Sequence, residues 1–198
     1  WKRLAQFMAQ ITVETGGGHE MTESLSYRPE TLATTSPWDT RMTWKDMQRY
    51  GWVPHKHPAD IAKLAEIGYG GRMGNLTAKD ALDFIGHGFL QKTGRDDYQH
   101  LTDTLGKKYG VDFVKDPKAL NDAAHALEYA ADEFVSYKQG KQSMLDLADQ
   151  WKTKAVSELV NGGDNLLAKR IKSANDWLKL LTAPKTPKAP KTKKKHPA

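Results

Sequence analysis

A chain of 198 residues, 38% apolar and 9% aromatic, can bury one hydrophobic core, and no run approaches the roughly 20 apolar residues that a membrane-spanning helix needs. It contains no cysteine, which excludes disulfides and thiolate metal or redox chemistry. The net charge of +6 sits at one end: residues 182–198 carry six lysines and no acid, leaving 24 basic and 24 acidic residues in a neutral body.

In chain order, Leu4, Phe7, Met8 and Ile11 recur at helical spacing and predict an amphipathic helix running to about Glu14, ended by Gly16-Gly17-Gly18. Residues 22–37 lack helical period and read as a turn or short strands followed by loop. Short helices are expected over 46–50 and 59–67, on either side of a proline-bounded loop at 53–58. The glycine-rich stretch 69–75 is a shaped loop, and the apolar residues Leu82, Phe84, Ile85, Phe89 and Leu90 straddle Gly86-His87-Gly88. A helix is expected from about 94 to 105. Asp116-Pro117 opens another, with Leu120, Ala124, Leu127, Ala131 and Phe134 on one buried face. A helix over 143–159 ends at Asn161-Gly162-Gly163, and a last one covers 166–181. From Thr182 the proline- and lysine-rich composition favours extended or disordered chain.

Glu14 and Glu23 are the candidate chemical pair. Fully extended, the stretch between them could span roughly 30 Å, whereas inverting glycosidases hold two carboxyls about 6.5 to 9.5 Å apart. The chain must therefore turn back, which the glycine triplet permits. Glu14 ends an apolar helix, a setting that favours a protonated carboxyl. Glu23 lies among Thr22, Ser24 and Ser26, a wetter setting suited to an ionised base. By spacing alone, the ordinary reading of both is a solvated glutamate near a helix end. Thr93, with Asp96 three residues on, fits a helix N-cap, a role compatible with positioning a water. His55 and His57 lack a third ligand at metal spacing, so no metal is implied. Gly70-Gly71 and Gly162-Gly163 lack the P-loop lysine and the dinucleotide spacing, so no cofactor is expected.

Taken together the segments are more specific. Residues 7–17, Phe-Met-Ala-Gln-Ile-Thr-Val-Glu-Thr-Gly-Gly, resemble the F-L-A-Q-I-x-H-E-S-G-G pattern of glycoside hydrolase family 19, the chitinases and phage or bacterial endolysins. Glu23-Ser24-Leu25-Ser26-Tyr27 resembles its E-N-L-N-Y, and Tyr69-Gly70-Gly71-Arg72-Met73-Gly74-Asn75 its Y-G-G-R-M-G-N. Residues 86–98 are similar to G-R-G-L-I-Q-L-T-G-R-D-N-Y, and Val160-Asn161-Gly162-Gly163 with Ala168-Lys169-Arg170-Ile171 to I-N-G-G with A-D-R-L.

The resemblance implies a mainly α, bilobal lysozyme-like fold over residues 1–181, with a substrate cleft between the lobes and a short β/loop region after the first helix. It implies that Glu14 protonates the leaving oxygen and Glu23 activates a water on the opposite face, giving inversion, with Thr93 helping to hold that water. Gln91, Asn161, Tyr27 and Arg72 would bind substrate, and Arg170 would support the acidic centre as well as the substrate. Three positions depart from the pattern: His87 stands where arginine is usual, Val13 where histidine is usual, and Lys92 where an apolar residue is usual.

The short Glu14–Glu23 interval, the short Tyr-Gly-Gly-Arg loop, the absence of cysteine and of a chitin-binding module resemble the phage endolysin branch. The expectation is therefore hydrolysis of peptidoglycan glycan strands for host-cell lysis; chitin hydrolysis and a non-catalytic glycan-binding role are the alternatives. The opening Trp1-Lys2-Arg3-Leu4 has no apolar signal core, so synthesis in a host bacterial cytoplasm and action at the cell wall are expected. A monomer is expected. The lysine-rich tail is either a solvated end or an electrostatic contact to an anionic membrane or lipopolysaccharide; with a neutral body, nucleic acid is not an expected partner.

Overall fold

The computed structural model describes residues 1–140, 142–161, 163 and 166–184, with the side chains of Gln139 and Asn161 also outside the description. The expected disorder of the tail thus falls almost wholly outside the described residues.

The first helix, α1 (Lys2–Glu14), follows the sequence period but buries two kinds of side chain: Phe7 and Ile11, and beside them Gln6 and Gln10. Leu4, expected on the buried face, is exposed. Beyond Glu14 the Thr15 carbonyl accepts from the amides of Gly18, His19 and Glu20. Gly16, Gly17 and Gly18 all take positive φ, which side chains with a Cβ adopt at a cost, and the chain reverses.

The expected short β region reduces to isolated pairs among the described residues. Thr22 pairs with His87, and His87 with Lys92. The first lobe follows: α2 (Pro29–Leu32), α3 (Trp38–Arg41), α4 (Trp44–Tyr50), α5 (Ile61–Tyr69) and α6 (Ala78–Asp83). Thr43 and Asp46 form a capping box at α4, Thr77 and Asp80 another at α6. These helices close around Trp38, which packs with Leu25, Leu32, Met47, Leu64 and Ile85 and donates its indole N–H to the Leu64 carbonyl at 2.8 Å.

The second lobe joins α1 to the later helices. After α7 (Arg95–Leu101) the chain widens into a π-helical turn, Thr102–Gly106, then runs through α8 (Lys107–Tyr109). The helix expected to open at Asp116-Pro117 is two pieces: a 3₁₀ turn, Pro117–Asn121, and α9 (Ala123–Ser136). Asp122 interrupts them, because its extended backbone breaks the helix while its carboxylate accepts from the amides of Ala124 and His125. The break changes the helical register, so α9 buries Ala126, Tyr129, Ala130 and Phe134, and Leu127 is exposed. Likewise the helix expected over 143–159 divides. A two-residue hairpin, β1 (Lys138–Gln139) with β2 (Gln142–Ser143), leads into α10 (Met144–Asp149); Trp151 then takes positive φ before α11 (Thr153–Asn161). The last helix, α12 (Leu167–Thr182), lies along α1.

Phe7, Ile11, Ala130, Phe134, Met144, Leu147 and Val156 form the core of this lobe. A third cluster around Phe84, Tyr98, Phe113 and Tyr129 joins it to the region of Gly86 and Gln91. Among the described residues no helix is long and apolar enough to cross a membrane.

Candidate active site

Glu14 ends α1, and its carboxylate accepts from the Arg170 guanidinium of α12: Arg170 Nη2 lies 2.5 Å from Glu14 Oε1, and Nη1 donates to Gln10 Oε1 at 2.6 Å. The arginine is 2% exposed, the Glu14 side chain 20%. The apolar helix end expected to favour a protonated Glu14 is therefore not its whole setting. The carboxylate also lies against a permanent cation. The register of α1 on α12 is held further by Trp177, whose indole N–H donates to Thr12 Oγ1 at 3.1 Å.

Glu23, expected in the wetter setting, is half-buried and clamped. The Tyr69 hydroxyl lies 2.8 Å from Oε1 and 2.9 Å from Oε2, and can donate to one of them at a time. Tyr27 OH approaches Oε1 at 3.4 Å and the Gly86 amide donates to Oε2 at 3.3 Å. Burial first, and the negative charge and hydrogen bond of Glu23 next, push the Tyr27 hydroxyl up to about 12 and that of Tyr69 higher still. Both phenols thus stay protonated donors throughout the physiological range. Their rings stand edge-on to Trp38, with centroids 5.4 and 5.6 Å away, so the core of the first lobe sets their positions.

Gly86 lets the segments around Glu23 and Gln91 meet. The Glu23 amide donates to its carbonyl at 2.8 Å, and a Cβ at position 86 would stand 2.8 Å from Gln91 Oε1 and 3.3 Å from the Glu23 Cβ. Gln91 is brought beside Glu23 by this approach. It has positive φ, and its side-chain amide donates to the Gly88 carbonyl at 3.0 Å. Thr93, two residues on, does not cap α7: its hydroxyl donates to the Gln91 carbonyl at 3.0 Å, and Gly94 is the N-cap residue with no side-chain bond. The capping expectation fails because Gly94, at φ 96°, carries the chain into the helix one residue later.

The remaining expected residues divide. Tyr27 faces Glu23, as described. Arg72 donates to the Gly68 carbonyl at 3.3 Å and its charge acts on Tyr69, at the edge of the same cluster. Asn161 closes α11, and its side chain lies outside the described residues, as do Gly162, Asp164 and Asn165. Asn75, from the same glycine-rich loop as Arg72, accepts from the Arg95 amide and donates to the Tyr69 carbonyl, tying that loop to the start of α7.

Two departures from the family pattern have structural partners. His87 is 1% exposed, with Nδ1 3.0 Å from Thr22 Oγ1, which in turn accepts from Asn121 Nδ2 at 2.8 Å. Burial pushes its imidazole below the ordinary histidine range, so it is neutral at pH 7. The Lys92 ammonium lies 3.2 Å from an Asp97 carboxylate oxygen, 3.9 Å from Glu133 and over the Tyr129 ring. Tyr69 and Gln10 were not singled out from the sequence. Tyr69 lies in segment 69–75 and Gln10 in segment 7–17, both of which carry the resemblance, and a further signal for Gln10 is a polar residue four positions before Glu14 on a helix face turned inward.

No protein-family model matches the sequence, and no curated protein does. Solved structures do. A mutant of chitinase C matches with a TM-score of 0.54 at 16% identity, covering 94% of this chain and 75% of that one. Chitinase C from Streptomyces griseus HUT6037 matches with a TM-score of 0.53 at 18% identity, covering 91% of this chain and 72% of that one. The fold is that of chitinase C. The similarity extends over both lobes, so the mainly helical, lysozyme-like architecture is common to the two.

Proposed function

We propose that this chain is an inverting glycoside hydrolase that cleaves the glycan strands of bacterial peptidoglycan, in the manner of a phage endolysin. One observation carries the reading. On a chitinase fold, a glycine reversal joins a helix-end glutamate held by a buried guanidinium to a second glutamate held by two phenols and a backbone amide. In this reading Glu14 delivers the proton to the leaving oxygen and Glu23 draws one from the attacking water. Arg170 keeps Glu14 oriented; its guanidinium is not deprotonated in proteins, so the acid role falls to the carboxyl. Tyr69 and Tyr27 hold Glu23 while one lone pair remains for water, which in this reading Thr93 and Gln91 help to hold. Tyr27, Arg72, Gln91 and Asn161 contact the sugars in this proposal; Arg170, expected to bind substrate as well, is 2% exposed and acts through Glu14 instead.

Chitin is the second reading, favoured by the fold similarity to chitinases. The test is to incubate the purified chain with peptidoglycan and with chitin oligomers and to identify the new ends and their anomeric configuration by mass spectrometry and NMR. New ends from peptidoglycan, with inverted configuration, are expected. Glu14→Gln and Glu23→Gln should each lower turnover by about 10² to 10⁴, and wild-type turnover in either would remove its assigned role. Cleavage of chitin alone would select the second reading.

The same reading extends to place and partners: a monomer released to the cell wall from the host cytoplasm, whose lysine-rich end strengthens contact with an anionic outer surface by about 1 kcal/mol per lysine. Deleting residues 185–198 should reduce lysis of intact cells and leave hydrolysis of isolated peptidoglycan unchanged. Equal lysis by both forms would refute the role of the tail.

A further inference from the structure

Beneath Glu14 runs a buried polar seam. On α1, Gln6, Gln10 and Glu14 succeed one another at four-residue spacing and so share one face of the helix. Gln6 and Gln10 are both fully buried. On α11, Thr153 and Ser157, again four apart and so on one face of that helix, are 5% and 0% exposed. Gln6 Nε2 donates to Thr153 Oγ1 at 2.7 Å, which joins the two stripes at one end; Arg170 bonds both Gln10 and Glu14 at the other.

Three atoms of the seam have no hydrogen-bond partner among the described residues: Gln6 Oε1, Gln10 Nε2 and Ser157 Oγ. Buried polar atoms without partners are costly, and native proteins satisfy them with protein groups or enclosed water. The three are chemically complementary to one water. An amide N–H donates to it, an amide oxygen accepts from it, and a hydroxyl does either, which gives the usual three bonds of an internal water. The water's bond to Gln10 Nε2 fixes which way that amide faces, and so aims Gln10 Oε1 at Arg170.

We propose that Gln10 is a positioning residue for the Glu14–Arg170 pair, anchored from behind by a buried water shared with Gln6 and Ser157. This rests on the hydrolase reading for its kinetic consequence but not for the water itself.

The test has two arms. A crystal structure of the full chain, at a resolution that shows ordered solvent, should place one enclosed water within hydrogen-bond distance of all three atoms. Direct bonds among them, or a dry seam, would overturn the anchor. In the kinetic arm, Gln10→Met keeps the length of the side chain and removes its hydrogen bonds. At a temperature where it is folded by near-ultraviolet circular dichroism, its kcat should fall about tenfold or more with KM changed less than about twofold. Gln10→Glu restores an oxygen for Arg170 and should recover most of the loss. Ser157→Ala deletes a single water ligand and should lower kcat about threefold, so the question survives if Gln10→Met does not fold. Wild-type kcat in the folded variants, with only a lowered melting temperature, would make the seam purely structural. If the unsubstituted protein hydrolyses neither polymer, the functional reading fails and the crystallographic arm alone decides the water.

Discussion

Glu14 and Glu23 are held in opposite ways. Glu14 depends on one charged partner reached across 156 positions of sequence, Arg170, which is itself buried and shared with Gln10. Glu23 depends on several neutral donors, Tyr69, Tyr27 and Gly86, seated on the core of its own lobe. A carboxylate held by a charged partner is strongly coupled to that partner, and losing either leaves a charge to be hydrated by other means. A carboxylate held by several neutral donors loses them one at a time. The first arrangement concentrates the risk in one residue, and the second spreads it.

The sharpest way to break this contrast is Arg170→Met, which removes the guanidinium from Glu14 and from Gln10 together. A loss on the order of 3 kcal/mol is expected in urea denaturation, with turnover falling alongside. A loss below about 1 kcal/mol would put the pair in the class of weak surface bridges. Tyr69→Phe deletes the 2.8 and 2.9 Å contacts and should cost about 2 kcal/mol, as for hydrogen bonds to charged groups. Tyr27→Phe, at 3.4 Å, should cost less than about 0.5 kcal/mol. Equal effects would mean that the two phenols share the load.

A smaller effect separates the lobes by pH. In the unfolded chain the imidazole of His87 binds a proton near pH 6.5, whereas burial lowers its affinity in the folded protein. The unfolded state therefore takes up more protons as the pH falls below about 6.5, and folding stability declines over that interval. His87→Gln should flatten the change in urea midpoint between about pH 7.5 and about pH 5.5. A slope equal to that of the unsubstituted protein would assign it to other groups. The smallest effect is expected from Thr93→Val: with Gly94 as the N-cap of α7, the stability change should stay within about 0.5 kcal/mol, whereas a capping threonine would cost about 1.

Where one local signal decided the structure, the sequence was readable. The apolar period of α1 and the three glycines after it predict both the helix end and the reversal, because backbone freedom at positions 16–18 needs no partner elsewhere. The periodicities place most of the individual helices, the motif resemblance implies the mainly helical, lysozyme-like class, and the fold similarity to chitinase C agrees with it. The misses came from competition that a period does not reveal. Asp122 takes the first amides of α9 with its side chain, so the period running from Leu120 to Phe134 is interrupted and Leu127 turns outward. Trp151, in a left-handed conformation, divides α10 from α11 in a stretch that reads as one helix. The local setting of Glu14 lacks its charged neighbour, because that neighbour comes from a helix more than 150 residues away, which no window around position 14 contains; only the resemblance implied Arg170 at the acidic centre.

That separation also orders events during synthesis. Glu14 precedes Arg170 by 156 positions, so a nascent chain can assemble the lobe around Trp38 before the guanidinium that holds Glu14 has been made. Docking of α12 onto α1 is a late, long-range closure, the kind that slows folding.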